Sequence, residues 1–251
     1  MLLTVDIGNT NVTLGVFDND NLLQSWRLST KIARTEDEYG IFLTGLLKEY
    51  NITDCAICSV VVELTDKFNI AVEKYLGIKA FIINHKIKLN VGLKTEENSK
   101  IGADRIANAA AAVEFYKLPA IVVDFGTATT FDVISDKKEF IGGIIAAGMN
   151  LQAEGLGTKT SKLPKLNIEK PKKTIAANTI DAMLAGIVTG HARMIDGLIE
   201  DCEKELGQKA TIIGTGGYSD VISPLLKRKF DDVSPNLTLL GIKKLFELNL
   251  E

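Results

Sequence analysis

The chain has 251 residues, 46% hydrophobic and 24% charged, with a net charge of −3. That length allows one large domain or two ordinary ones around a sizeable core. The near-neutral balance gives no basic field for nucleic acid or a membrane surface, so neither is expected as a partner.

Met1 is followed by Leu2-Leu3-Thr4-Val5-Asp6, which lacks the basic start and longer apolar run of a signal peptide. No apolar stretch approaches the roughly 20 residues that span a bilayer. A cytoplasmic location is the expectation. The first elements read as a β-meander. Leu3 to Gly8 is an apolar run ending in Asp-x-Gly, followed by a polar turn and a second run from Val12 to Phe17. Asp18-Asn19-Asp20-Asn21 supplies turn chemistry before a third run, Leu22 to Leu28. Thr35 to Tyr50 then carries Tyr39, Phe42, Leu43, Leu46 and Leu47 at helical spacing, and Val62–Leu76 and Gly102–Tyr116 read likewise.

Between them, Cys55 to Val60 reads as a buried strand. Its CxxC invites a redox or metal reading. However, positions three apart on a strand point to opposite faces, and no second ligand pair exists. With only one more cysteine, Cys202, a disulfide framework is also excluded.

At Ile121 the opening design begins again. Ile121-Val122-Val123-Asp124-Phe125-Gly126 echoes the first strand, and Phe131–Ile134 and Phe140–Ala146 echo the second and third. The repeat predicts an α/β protein of two duplicated lobes, residues 1–117 and 118–251, with a cleft between them. A helical stretch from Thr179 to Leu206 follows, with Met183, Leu184, Ile187, Met194, Ile195 and Leu198 as its apolar set. Part of that stripe is a candidate surface for a two-fold mate. A strand at Ala210–Gly214, a helix near Tyr218–Arg228 and a last helix near Leu240–Leu248 complete the reading. The segment Lys159–Lys173, with six lysines and two prolines, reads as a solvated loop.

Three Gly-rich turns carry the chemistry. In Asp6-Ile7-Gly8-Asn9-Thr10-Asn11 the glycine permits a tight turn that exposes backbone N–H groups suited to phosphate oxygens. Asp6 at the strand end suits a Mg²⁺ ion held through water. Asp124-Phe125-Gly126-Thr127-Ala128-Thr129-Thr130 repeats the design, and Gly214-Thr215-Gly216-Gly217 adds a turn between strand and helix. Each alone serves equally as a structural turn; their joint order is the informative feature. Gly102-Ala103-Asp104-Arg105 opens an alanine-rich helix. Asp104 reads either as a helix cap or as a general base, with Arg105 orienting an anionic substrate. Neither His85 nor His191 has sequence neighbours suggesting catalysis, and both read as structural or surface positions.

The order DIGNTN, GADR, DFGTATT, GGIIAAG and GTGG resembles the type III pantothenate kinases of the actin/hexokinase superfamily, from residue 2 to the last strand and helix. The resemblance implies two duplicated actin-like (ribonuclease H-like) lobes with a nucleotide cleft between them. It implies phosphoryl transfer from ATP to pantothenate, giving 4′-phosphopantothenate for coenzyme A synthesis. It further implies Mg²⁺, a monovalent cation (K⁺ or NH₄⁺) and a homodimer with pantothenate near the interface. Carried over by position, Asp6, Ile7, Gly8, Asn9, Thr10, Asn11, Val12 and Thr13 form the first phosphate loop, and Thr127 contacts ATP. Asp124 is the monovalent-cation ligand. Asp104 accepts the proton, and Gly102, Ala103, Asp104, Arg105 and Thr179 contact the substrate, with helix capping as the plain alternative for Thr179.

Two departures bear on the pocket. Thr95-Glu96-Glu97-Asn98-Ser99-Lys100 stands where relatives often carry an aromatic and a proline, and Thr158 precedes Lys159 where they often have an arginine. Two other functions share this fold: a non-catalytic transcriptional regulator, which would not need Asp104, and a polyphosphate phosphohydrolase, which would not need a pocket around GADR.

Overall fold

A computed structural model describes residues 1–250. Two compact units make up the chain: Met1–Phe115 with Leu237–Glu251, and Tyr116–Asn236. The first contains β1 (Leu2–Ile7), β2 (Asn11–Asp18), β3 (Asn21–Ser29), α1 (Glu36–Leu47), β4 (Asp54–Ser59), α2 (Val62–Leu76), β5 (Phe81–Ile82), β6 (Gly92–Leu93) and α3 (Ala103–Phe115). The second contains β7 (Ala120–Phe125), β8 (Ala128–Ile134), β9 (Glu139–Ala147), α4 (Met149–Lys159), α5 (Thr179–Leu184), α6 (Gly190–Leu206), β10 (Thr211–Gly216), α7 (Ser219–Ile222) and β11 (Asp232–Val233). The last helix, α8 (Leu237–Glu247), returns to the first unit.

In the first unit the strand order is β3-β2-β1-β4-β5. β1 pairs antiparallel with β2 and parallel with β4. One face of this sheet packs on α1 and α2 through Tyr39, Leu43, Leu64 and Phe68. The other packs on α3 and α8 through Ile106, Ala110, Ile242 and Leu245. A sheet covered on both faces explains why β1 and β4 read as continuous apolar runs. The helix start at Thr35 is a capping box, with Thr35 and Glu38 each satisfying the other's backbone N–H.

The repeat of the meander holds in the second unit, where the order runs β11-β10-β7-β8-β9 and β7 has an antiparallel β8 on one side and a parallel β10 on the other. Its core joins Ile121, Val123, Phe125 and Phe131 to Leu184, Ile187, Val188, Ala192 and Ile195.

Several expectations need correction. The repeat assigned the final helix to the second lobe; its apolar face instead buries against α3, where Gly241 lies so close to the Ala107 carbonyl that a Cβ would collide. The 179–206 stretch is not one α-helix, because Ala185–Thr189 widens into a π turn between α5 and α6. The helix expected to reach Arg228 stops at Ile222 and passes into a single 3₁₀ turn containing Pro224, which has no N–H to continue an α-helix. Helix α4 was not anticipated; Gly155 and Gly157 dilute its periodicity.

The stripe considered for a two-fold mate is interior. Leu184, Ile187 and Ile195 are at most 2% exposed and lie in the core of the second unit, with Met194 partly buried against it. The two thiols of the CxxC behave as strand geometry requires: Cys55 faces the α1/α2 side and Cys58 the α3/α8 side.

Candidate active site

In the first unit, the ladder of β1 runs to Ile7, which pairs with Ser59, and the Ile7 carbonyl accepts from the Val60 N–H at 3.1 Å. Beyond it the chain turns tightly, with the Gly8 N–H donating to the Asn11 carbonyl at 2.9 Å. Asn9 and Thr10 are left exposed. Thr30, at the end of β3, clamps this turn from the side. Its hydroxyl donates to the Gly8 carbonyl at 2.7 Å and its N–H to the Thr10 carbonyl at 2.9 Å. The clamp occupies the Gly8 and Thr10 carbonyls and the Asn11 carbonyl takes the Gly8 N–H, so the turn presents the exposed polar side chains of Asn9 and Thr10. Val12 faces the core, and Thr13 pairs with Asp6 across the hairpin. Thr30 escaped the sequence reading; the hairpin register that brings Ser29 opposite Asn11 is the signal that points to it.

Asp104 lies in the first turn of α3, which follows Gly102; Gly102 sits against Val60, whose N–H holds the Ile7 carbonyl. Asp6 pairs with Cys58 in the parallel ladder, and the carboxylates of both Asp6 and Asp104 raise the pKa of the Cys58 thiol, which burial raises most. The Asp104 carboxyl accepts from the Arg105 N–H at 2.8 Å and rests over Gly102, where a Cβ would collide with it. Burial raises its pKa above the ordinary carboxylate value, against lowering contributions from the Arg105 N–H and guanidinium. Ala103 is buried, so it supports the helix start rather than facing solvent. The segment with the departures folds into its own small network, in which the Thr95 hydroxyl donates to Asn98 at 2.8 Å.

In the second unit, Asp124 is the last residue but one of β7, opposite Thr215 of β10 and Thr130 of β8. Its carboxylate lies against Gly216, where a Cβ would come within 2.5 Å of Oδ1. Gly216 has φ +85°, a conformation costly for any other residue, so the third Gly-rich turn is shaped to admit this carboxylate. The Gly126 N–H donates to the Ala128 carbonyl, and the Thr127 carbonyl accepts from the Gly148 N–H, both at 3.1 Å. Thr179 is exposed at the first position of α5. It is not the cap: the Asn178 side chain accepts from the Asp181 N–H, so the Thr179 hydroxyl is not committed to capping. Among the described residues, no group of three or more His, Cys, Asp or Glu side chains could hold a metal, and no helix is long and apolar enough to cross a membrane.

A sequence family described as type III pantothenate kinase matches residues 2–201. The chain is 40% identical over 254 residues to the type III pantothenate kinase of Syntrophus aciditrophicus (strain SB), covering 99% of this chain and all of that one. It is 41% identical over 253 residues to the enzyme of that name from Dehalococcoides mccartyi (strain CBDB1), with 99% and 96% covered. Among solved structures it is similar to an ethanolamine utilization protein from Carboxydothermus hydrogenoformans, with TM-score 0.59, 16% identity and 97% and 89% coverage. It is also similar to the ROK hexokinase of Thermus thermophilus, with TM-score 0.55, 12% identity and 98% and 99% coverage. At those identities the structures share the hexokinase-like α/β fold and nothing finer.

The raised pKa of Asp104 sets a stability test. A carboxyl that holds its proton more tightly when folded contributes no penalty below the ordinary carboxylate range, and costs stability as pH rises through its raised folded value. Asp104→Asn is therefore expected to melt at a higher temperature than the parent at neutral pH, with the difference vanishing toward pH 3. A variant less stable than the parent at neutral pH would show that the carboxylate is stabilised rather than strained by its surroundings.

Proposed function

The chain belongs to the type III pantothenate kinase family, and from that membership we propose how its residues perform the ATP-dependent phosphorylation of pantothenate that begins coenzyme A synthesis. The observation that supports the reading is the Asp104 carboxyl held at the start of α3, resting over Gly102 and accepting from the Arg105 N–H.

Asp104 accepts the proton of the pantothenate primary hydroxyl as that oxygen bonds to the γ-phosphorus. The bond from phosphorus to the β–γ bridging oxygen breaks and its electrons leave with ADP. Arg105 pairs with the substrate carboxylate, which fixes the hydroxyl's approach. Thr179, with its hydroxyl left uncommitted by the Asn178 cap, donates to or accepts from the polar body of pantothenate. Asn9, Thr10 and Asn11 of the first turn meet phosphate oxygens with their short polar side chains, and Thr127 of the second turn contacts ATP. Such donors are already oriented before the charge moves, and orientation of this kind is where most of the rate enhancement in phosphoryl transfer arises.

A hard cation fits these residues. Mg²⁺ prefers one or two carboxylates plus water and phosphate over an all-protein cage, and Asp6 at the strand end is such a carboxylate. Asp124, seated against the Gly216 backbone, is the proposed ligand for the monovalent cation. When bound, the two cations would offset phosphate charge.

Four expectations follow. Asp104→Asn should lower kcat by about 10²–10⁴-fold, the usual worth of a general base. In the parent, kcat/KM should fall on the acid side at a pH above the ordinary carboxylate range, because the base must be ionised and burial holds its pKa up. Assay with ATP plus pantothenate, beside ATP alone, reads both quantities; a variant with near-parental kcat removes Asp104 from the role.

Activity should require potassium or ammonium at fixed ionic strength and fixed Mg²⁺, and equal rates in potassium, sodium and tetramethylammonium would remove Asp124 from cation binding.

The assembly is proposed to be a homodimer in the cytoplasm, as family resemblance implies. Light scattering should give twice the chain mass at micromolar concentration, and a fully active monomer would overturn it.

A further inference from the structure

Three polar side chains meet beneath the second turn: Thr129 of β8, Gln152 of α4 and His191 of α6. Thr129 and His191 are buried among apolar neighbours, 1% and 2% exposed. Thr129 Oγ1 lies 2.9 Å from His191 Nε2, and Gln152 Nε2 lies 3.0 Å from His191 Nδ1. Gln152 Nε2 also donates to the Ala147 carbonyl at 2.8 Å.

The bonding is fully determined by chemistry. A backbone carbonyl only accepts, so Ala147 fixes which end of the Gln152 amide faces the ring. His191 Nδ1 must then accept from that amide, its proton sits on Nε2, and Nε2–H donates to Thr129 Oγ1. An imidazolium would bring Nδ1–H against the amide N–H, and burial alone already lowers the ring's pKa to about 4. His191 is thus a neutral, single-tautomer strut, and catalysis as described above makes no use of it.

What the strut grips is the Gly126–Thr127 turn, from both sides. Thr129 lies two residues after Thr127 and pairs with Phe125 and Ala146 in the sheet. Ala147 directly precedes Gly148, whose N–H holds the Thr127 carbonyl. There is no slack at that contact, since a Cβ on Gly148 would collide with the Thr127 and Gly126 carbonyls. The ring also lies 6.4 Å from that of Phe125, centre to centre.

We propose that His191 is a positioning residue for nucleotide binding, setting the Gly126–Thr127 turn against Gly148 through Thr129 and Gln152. The proposal rests on the reading that this turn contacts ATP, so the experiment separates the two. His191→Phe keeps a ring and removes both hydrogen bonds. It should raise the KM for ATP by about threefold to tenfold, the worth of one ordinary buried hydrogen bond or somewhat more. The KM for pantothenate should stay unchanged. His191→Gln, which can accept from Gln152 and donate to Thr129, should recover most of the ATP affinity although it packs less well. Thr129→Val breaks the same bond from the other side at nearly constant volume, should show the same selective effect, and carries the test if His191→Phe does not fold. Combined with His191→Phe it should add little, because both variants cut one linkage.

A residue that only fills space would give the reverse ranking, with Phe matching the parent in KM for ATP and Gln doing worse; that result overturns the proposal. Thr127→Ala supplies the separating arm. If Thr127→Ala raises the KM for ATP while His191→Phe and Thr129→Val leave it unchanged, the turn binds ATP but His191 does not position it. If Thr127→Ala, His191→Phe and Thr129→Val all leave it unchanged, the assignment of the turn itself falls and the proposal with it.

Discussion

Each sheet is organised by a central strand hydrogen-bonded on both edges, β1 between β2 and β4, and β7 between β8 and β10. Such a strand has no spare backbone groups until it ends, and both end at the same motif, an aspartate followed by a residue and a glycine. Ile7 is level with Ser59 and Phe125 with Gly216, so the parallel neighbour stops at the same height. Where the ladders stop, freed N–H groups must find partners. The chain meets that demand with turns whose carbonyls are taken by Thr30 in one unit and Gly148 in the other. What the first turn presents beyond those bonds is the exposed polar side chains of Asn9 and Thr10.

Asp104 depends on that scaffold for a different reason. A carboxyl removed from water is unfavourable as an anion, and only partners or a rigid setting keep it there. Its helix supplies rigidity. Ala107, Ala109, Ala110, Ala111 and Ala112 are buried, and their small side chains let α8 approach closely enough for Gly241 to touch the Ala107 carbonyl. The last helix of the chain thereby anchors the helix whose first turn holds the proposed base. Thr238 adds a hydrogen bond to Asn108 at 2.8 Å, and Lys244 pairs with Glu114 at 2.7 Å.

The two units solve the same problem with unlike means. The first turn is held by a threonine that follows the third strand, the second by a buried relay through Gln152 and His191. The Asp-x-Gly ends share a pattern, while the supports around them do not, so the internal repeat revealed the turns without revealing what steadies them.

Local periodicity and turn chemistry determined a good deal of this protein. The two meanders, α1, α2, α3 and α8, the opposed cysteines of the CxxC, and the residues that form the Asp-x-Gly turns and the GADR helix start were all legible. Each depends on neighbours within a few positions, where the period of two or 3.6 decides which side chains share a face. The tertiary structure alone decided which partner each face would meet. An apolar stripe on α5 and α6 announces burial but not whether it meets its own sheet or another chain; here it meets its own sheet. Nor does a final amphipathic helix state that it will cross back to a helix ending more than a hundred residues earlier. The Thr129–Gln152–His191 relay and the Thr30 clamp join residues from separate elements, and nothing in one stretch of sequence encodes such a meeting. Periodicity is a property of a single element, whereas packing is a property of pairs, and the pairs exist only once the chain has folded.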